Sequence, residues 1–409
     1  MSESAVDDAD SDPLAAALAG ERGADKAIAT LRAQGREGLA RLLEARANLD
    51  RPGTDADWDR VLDAVSGQRD AATSGLYWET DLGAALASAA ERGVPVLSLR
   101  MLGELTDEFS CANSRFFRAL LYTDPELAQW LDESFVLHWS SERPVPSVTI
   151  DFGDGRTLRT TTTGNSAHYV LDTDGQVLDV LPGLYDAVAF RSQLRDAVAL
   201  FEAVQETPGD RTPLVRSHHR KAADAALARV SPLSAGYGPM TAWMRRAPGR
   251  TDDMPVPAVA AQPITVSKMR VELPLLKEVD SRAVPARPSR TMLREAASPV
   301  SLSPTAIAMI RRDRPQRPTE TDADYGERID ALLEQTAEDL ALDTFVNEAR
   351  LHFQIHGWFA NGEVDGDFDA INERVYRELF GTPRNDPWLG LRDDTSYDGL
   401  AEGPHRIAG

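Results

Sequence analysis

The chain has 409 residues, 42% of them hydrophobic, a mean hydropathy of -0.34 and a formal net charge of -21. That length predicts two or more domains with ample core, and the charge argues against nucleic acid or anionic lipid as the partner. A single cysteine excludes an intramolecular disulfide framework. No run approaches the roughly 18 apolar residues of a membrane span, and Met1–Asp8 has neither the basic segment nor the apolar core of a secretory leader. The expectation is a cytoplasmic protein without membrane association, of unstated oligomeric order.

Residues 1–12 read as a disordered acidic start. Residues 13–74 predict a helical N-terminal region. Leu14 and Leu18, then Ile28 and Leu31, then Leu39, Leu42 and Leu43 recur at helical spacing, with Gly35 and Gly38 as separators, and a further helix runs from Trp58 to about Gln68. Such a region serves either as an extension packed on the next domain or as a partner-binding module.

Residues 75–205 predict an α/β domain. Asp81 caps a helix carrying Leu82, Leu86 and Ala89, which Gly93 closes ahead of an apolar strand from Val94 to Leu99. The sole cysteine follows in Phe109-Ser110-Cys111-Ala112-Asn113-Ser114-Arg115-Phe116-Phe117-Arg118, where the pattern turns helical. Asp124-Pro125-Glu126 starts another helix, and Phe135-Val136-Leu137 another strand. Val148–Thr160 alternates about Gly153-Asp154-Gly155 as a β-hairpin, and a second hairpin turns at Asp174-Gly175. A helix from about Asp186 to Gln205 closes the domain.

Residues 206–318 form a proline-rich arm or linker, since 15 of the 25 prolines lie between 208 and 318. Within it Val215–Ala228 predicts a basic helix, Met269–Leu273 a short strand and Ser303-Pro304 a helix start. Residues 319–391 predict an acidic helical module, with ten Asp or Glu and one arginine between 319 and 348. A last helix carries Ile371, Val375 and Leu379. Trp388, Leu389 and Leu391 are expected to tuck onto these helices ahead of a loose tail, 392–409.

The residues around Cys111 resemble bacterial thioredoxin-like proteins. Cys111-x-x-Ser114, Asp124-Pro125-Glu126-Leu127, a helix through Trp130-Leu131 and a strand at Phe135-Val136-Leu137 follow the family's order. Tyr169-Val170-Leu171-Asp172-Thr173-Asp174-Gly175 is similar to its strand-turn-strand, and Pro182-Gly183-Leu184-Tyr185 through Leu194 to its closing helix. The resemblance spans residues 76–204 and implies a thioredoxin-like mixed sheet with flanking helices, without a cofactor. Ser114 stands where the family has its second cysteine, and Ser166 where it has a proline. The implied chemistry is therefore that of a monothiol CxxS variant, with Cys111 as nucleophile and Ser114 beside it, and with a protein or low-molecular-weight thiol as partner.

Two readings of Cys111 stand side by side. A helix start, Arg115, Arg118 and the Ser114 hydroxyl all favour a thiolate for monothiol disulfide exchange or redox sensing, while Asp107 and Glu108 oppose it. Alternatively Cys111 is a small buried hydrophobe in a noncatalytic adaptor that uses a degenerate thioredoxin-like domain. Other motifs are weaker. Glu348, His352 and His356 share a helix face, but so do Phe345 and Ala349, which predicts hydrogen-bonded packing and no metal. Asn361–Asp369 echoes a calcium loop yet has Asn372 at its twelfth place, so it reads as an acidic turn capping the next helix. His218-His219-Arg220-Lys221 reads as a solvated helix end. No glycine-rich phosphate loop or Gly-x-Ser-x-Gly elbow is present.

Overall fold

Short-range capping accounts for most of the element boundaries. The computed structural model describes residues 12–20, 23–48, 51–161, 165–237, 244 and 290–385. Residues 1–11 of the expected acidic start, the strand expected at Met269–Leu273 and the segment from Trp388 onward lie outside the described residues. Five helices come first: α1 (Pro13–Ala19), α2 (Ala24–Arg32), α3 (Gly35–Ala47), α4 (Asp55–Ser66) and the single turn α5 (Ala71–Ser74). Thr54 and Asp57 close a reciprocal capping box at the start of α4. Leu31, Leu39, Leu42, Trp58 and Leu62 of these helices form a core of their own. Arg32 ties that core to the rest by donating to the carbonyls of Val65 and Trp78, both at 2.7 Å.

Helix α6 (Leu82–Arg92) begins at Asp81, whose carboxylate accepts from the Ala84 N–H at 2.7 Å, and ends at Gly93 with φ of 68°. Strand β1 (Val96–Leu102) follows, then helix α7 (Ala112–Phe116), which continues through a π-helical stretch over Phe117–Leu121. Asp124 and Pro125 start α8 (Pro125–Ser134), which leads into β2 (Val136–Arg143). Strands β3 (Ser147–Asp151) and β4 (Thr157–Thr161) form a separate two-stranded hairpin. Strands β5 (Ala167–Leu171) and β6 (Val177–Pro182) and helix α9 (Ala187–Glu206) complete this part.

The sheet is mixed, in the order β2-β1-β5-β6. β1 runs parallel to β2, as a strand-helix-strand crossover requires. β5 is antiparallel to both β1 and β6. β5 and β6 are buried along their whole length, so the sheet is covered on both faces.

The two covers come from different stretches of the chain. His168 and Tyr169 are neighbours on β5 and point to opposite faces. His168 meets Phe117, Tyr122 and Phe190 on the side of α7 and α9. Tyr169 meets Phe368 and Asn372 of the C-terminal helices. Those later elements are α10 (Thr212–Tyr237), α11 (Arg290–Ala296), α12 (Pro304–Asp313), α13 (Asp322–Val346), α14 (Phe353–Asn361) and α15 (Phe368–Arg374). π-helical segments over Asn347–His352 and Val375–Leu379 follow α13 and α15. Ile355, Phe359, Ile371, Val375 and Leu379 share one hydrophobic core with Leu97, Tyr169 and Val180 of the sheet. The helices after residue 319 thus pack onto the same sheet as the elements before it.

Among the described residues no helix is long and apolar enough to cross a membrane.

Candidate functional site

Cys111 is the N-cap of α7. Its backbone N–H donates to the Leu102 carbonyl at 3.2 Å, which pins the helix start to the end of β1. The intervening loop leaves at Gly103, where φ is 73° and an added Cβ would stand 3.2 Å from Val145 and 3.3 Å from the Ser110 backbone. Leu105 is fully buried and anchors that loop.

The thiol is enclosed. Cys111 has 0% exposure and belongs to the main hydrophobic core. Its sulfur accepts one N–H, from Ser114, at 3.5 Å. The Ser114 hydroxyl does not serve it. That hydroxyl lies 2.6 Å from Ser110 Oγ and 2.8 Å from the Cys111 carbonyl oxygen, a back-bond onto its own turn.

The two arginines expected beside the thiol face elsewhere. Arg115 donates to Thr161 Oγ1 of β4 at 3.1 Å, and Arg118 to Ser110 Oγ at 3.3 Å. Burial pushes both guanidinium pKa values down from their ordinary range. Arg118 is 4% exposed, and its Nε and Nη1 have no hydrogen-bond partner. Glu108 turns outward to Arg69, at 3.6 Å.

Arg115 and Arg118 line a cleft of about 760 Å³ bounded by α7, the β3–β4 hairpin, α12 and α13. Phe116, Leu158, Ile310 and Leu332 supply apolar wall. This arginine-lined cleft was not legible in the sequence, because its lining runs from Arg69 to Leu340 and so joins segments far apart in the chain.

The histidines of the C-terminal helices form a second buried cluster. His352 Nε2 lies 2.8 Å from Asp179 Oδ1 on β6, and His356 Nδ1 lies 2.8 Å from His219 Nδ1 on α10. His219 Nε2 in turn lies 2.9 Å from the Leu178 carbonyl, so it carries the proton there and its Nδ1 accepts from His356. Burial pushes Asp179 up, but His352, His356 and His219 around it hold its carboxyl far below the usual range. Asp179, His352 and His356 bring ligand atoms within 4.8 Å of one another and are the described residues that could gather round a metal. Asp179 and His352 already bond each other, and His356 bonds His219.

His219 therefore faces inward, which leaves the basic run at 218–221 without a continuous surface. In the acidic turn at 361–369, Asp367 caps α15 through the Ala370 N–H at 2.7 Å, and Glu363 pairs with Arg374 at 2.7 Å.

Compared with known proteins, the chain matches no protein-family model, no curated protein and no solved structure.

Proposed function

We propose that this chain is a noncatalytic interaction protein built on a degenerate thioredoxin-like domain. The resemblance noted around Cys111 is supported by the order of elements. A parallel strand-helix-strand unit passes through the Cys111 helix start, and an antiparallel hairpin and a closing helix, α9, follow. The observation that carries the noncatalytic reading is the enclosure of Cys111 at 0% exposure with Ser114 turned away from it. Disulfide exchange needs an attacking sulfur reached in line by its target, and a side chain sealed in the core offers no such approach. A cytoplasmic setting, in which a lone thiol stays reduced, is consistent with this role.

One observation favours a second reading. The Cys111 sulfur lies at a helix start and receives a backbone N–H, so it keeps the position that the resemblance gives to a nucleophilic thiol. If local opening exposed it, an adduct with a protein or small thiol would persist, because no second cysteine exists to resolve it.

Alkylation of the native chain as a function of pH, followed by mass spectrometry after exposure to glutathione disulfide, separates the two. The noncatalytic reading expects modification only after denaturation. Fast native alkylation with a stoichiometric glutathione adduct would overturn it.

A further inference from the structure

We propose that the cleft beside the Cys111 helix binds an organic oxyanion, a carboxylate or phosphate carried on an apolar body, with Arg118 and Arg115 as its charged floor. The inference rests on the noncatalytic interaction reading and names the ligand class of that interaction.

The argument starts from charge. In a chain of net charge -21, the cleft gathers six arginines, Arg69, Arg115, Arg118, Arg159, Arg312 and Arg314, against four acids, Asp70, Glu108, Asp313 and Asp339. Arg312 is neutralised by Asp70 and Asp313, and Arg69 is approached by Glu108. Arg115, Arg118, Arg159 and Arg314 make no ion pair among the described residues. For Arg159 and Arg314, near solvent, that is unremarkable. For Arg118 it is costly, because the cation is buried without a direct ion pair, and the nearest opposing charge, Asp70, is already paired with Arg312.

Two other arginines of low exposure are paired: Arg100 has Glu142 at 3.1 Å, and Arg328 has Glu320 at 2.6 Å. Both side chains line the cleft, and Nε and Nη1 of Arg118 and Nε of Arg115 are enclosed without a hydrogen-bond partner, so an oxyanion would take them up through a small turn of the guanidinium groups.

The cavity fits such a guest. Its volume lies within the usual range for small-molecule sites. Phe116, Leu158 and Ile310 give the apolar part somewhere to lie, and Arg159, stacked over Phe109 at 4.4 Å, stands at the mouth. The half-exposed Leu158 and the hairpin that carries it would gain cover when the cleft is filled.

Calorimetric titration of the full chain at low salt tests this, with inorganic phosphate, phenyl phosphate and phenylacetate as probes. The expected result is saturable one-to-one binding of at least one aromatic anion, at least tenfold tighter than inorganic phosphate. Comparing phenyl phosphate with phenylacetate decides which oxyanion is preferred. Arg118→Gln should weaken binding at least tenfold. The exposed Arg159→Gln, which cannot disturb the core, should weaken it severalfold.

Stability distinguishes a binding role from a structural one. Without anions, Arg118→Met should melt at or above the wild-type temperature, since it removes an uncompensated buried charge. A marked fall in melting temperature, no saturation with any probe, or unchanged affinity in Arg118→Gln would each overturn the proposal. Fast native alkylation of Cys111 with intact anion binding would remove the noncatalytic reading and leave this site standing. Slow alkylation without anion binding would do the reverse.

Discussion

The Tyr169 hydroxyl on β5 donates to the Asn372 side chain on α15 at 2.8 Å, across 203 positions of sequence. Asn372 also donates to Glu142 on β2 at 2.9 Å, and Glu142 pairs with Arg100 at 3.1 Å and Arg384 at 3.0 Å. The Arg100 guanidinium lies over the Phe368 ring, 4.3 Å from its centroid. A buried polar layer thus joins the sheet to the helices that cover it.

Removing the hub of that layer should be severe. Glu142→Ala leaves the largely buried Arg100 with only the exposed Asp369, at 3.8 Å, and is expected to cost about 3 kcal/mol. Asn372→Ala strands one hydroxyl and should cost about 1–3 kcal/mol. Chemical denaturation monitored by tryptophan fluorescence measures both. Equal effects from the two substitutions would contradict the charge argument.

Acid should unfold this protein earlier than its carboxylates require. Burial and the Arg100 charge hold His138 down to about 4, and burial holds His168 down to about 3. In the unfolded chain both titrate near 6.5. Between those values the unfolded state binds more protons, so the stability they contribute is complete above about pH 6.5 and is lost progressively as pH falls towards 4 and 3. Each pH unit of that window costs about 1.4 kcal/mol per histidine. Asp63, pushed up to about 6 by burial, acts in the opposite sense over the lower part of the range. Melting temperature from pH 7.5 to 4.5 should therefore decline, and His168→Gln should flatten the decline.

The His352 and His356 cluster should be a packing element. His352 Nε2 is already bonded to Asp179, so a metal shared by Asp179, His352 and His356 would have to compete with that bond. Elemental analysis of untagged protein is expected to find no stoichiometric zinc, and His352→Ala should destabilise by about 2–4 kcal/mol by leaving Asp179 buried without that partner. Stoichiometric zinc that disappears in His352→Ala would refute this.

Cys111→Ala should cost about 1–2 kcal/mol, through the lost N-cap acceptor and a small void. Because the sulfur is not part of the cleft wall, this variant should keep the anion affinity of the wild type. A loss of affinity matching that of Arg118→Gln would place the thiol in the binding site.

Much of the local structure was legible because its causes lie within a few residues. Asp81 with Gly93, Asp124 with Pro125, Asp186, and Ser303 with Pro304 mark helix ends that are observed. Gly153-Asp154-Gly155 and Asp174-Gly175 mark hairpins that are observed. The lone cysteine at a helix start was equally readable, since the apolar strand before it and the helical spacing after it frame the position. The π-helical stretches carried no signal, because π geometry over Phe117–Leu121 or Asn347–His352 is imposed by packing and not by local preference.

Burial and partnership were decided by tertiary structure alone. An N-capping cysteine can face solvent or core, and only the closure of the Gly103–Ser110 loop against β1 seals it. An arginine two turns into a helix usually reaches water, and only the approach of α12, α13 and the β3–β4 hairpin turns Arg118 into a buried, unpaired charge. His219 and Asp179 meet His356 and His352 across 137 and 173 positions. Periodicity marks which residues lie inward. It carries no information on which distant inward face each one will meet, since hydrophobic burial is nondirectional and the pairing is settled by the packing of whole elements.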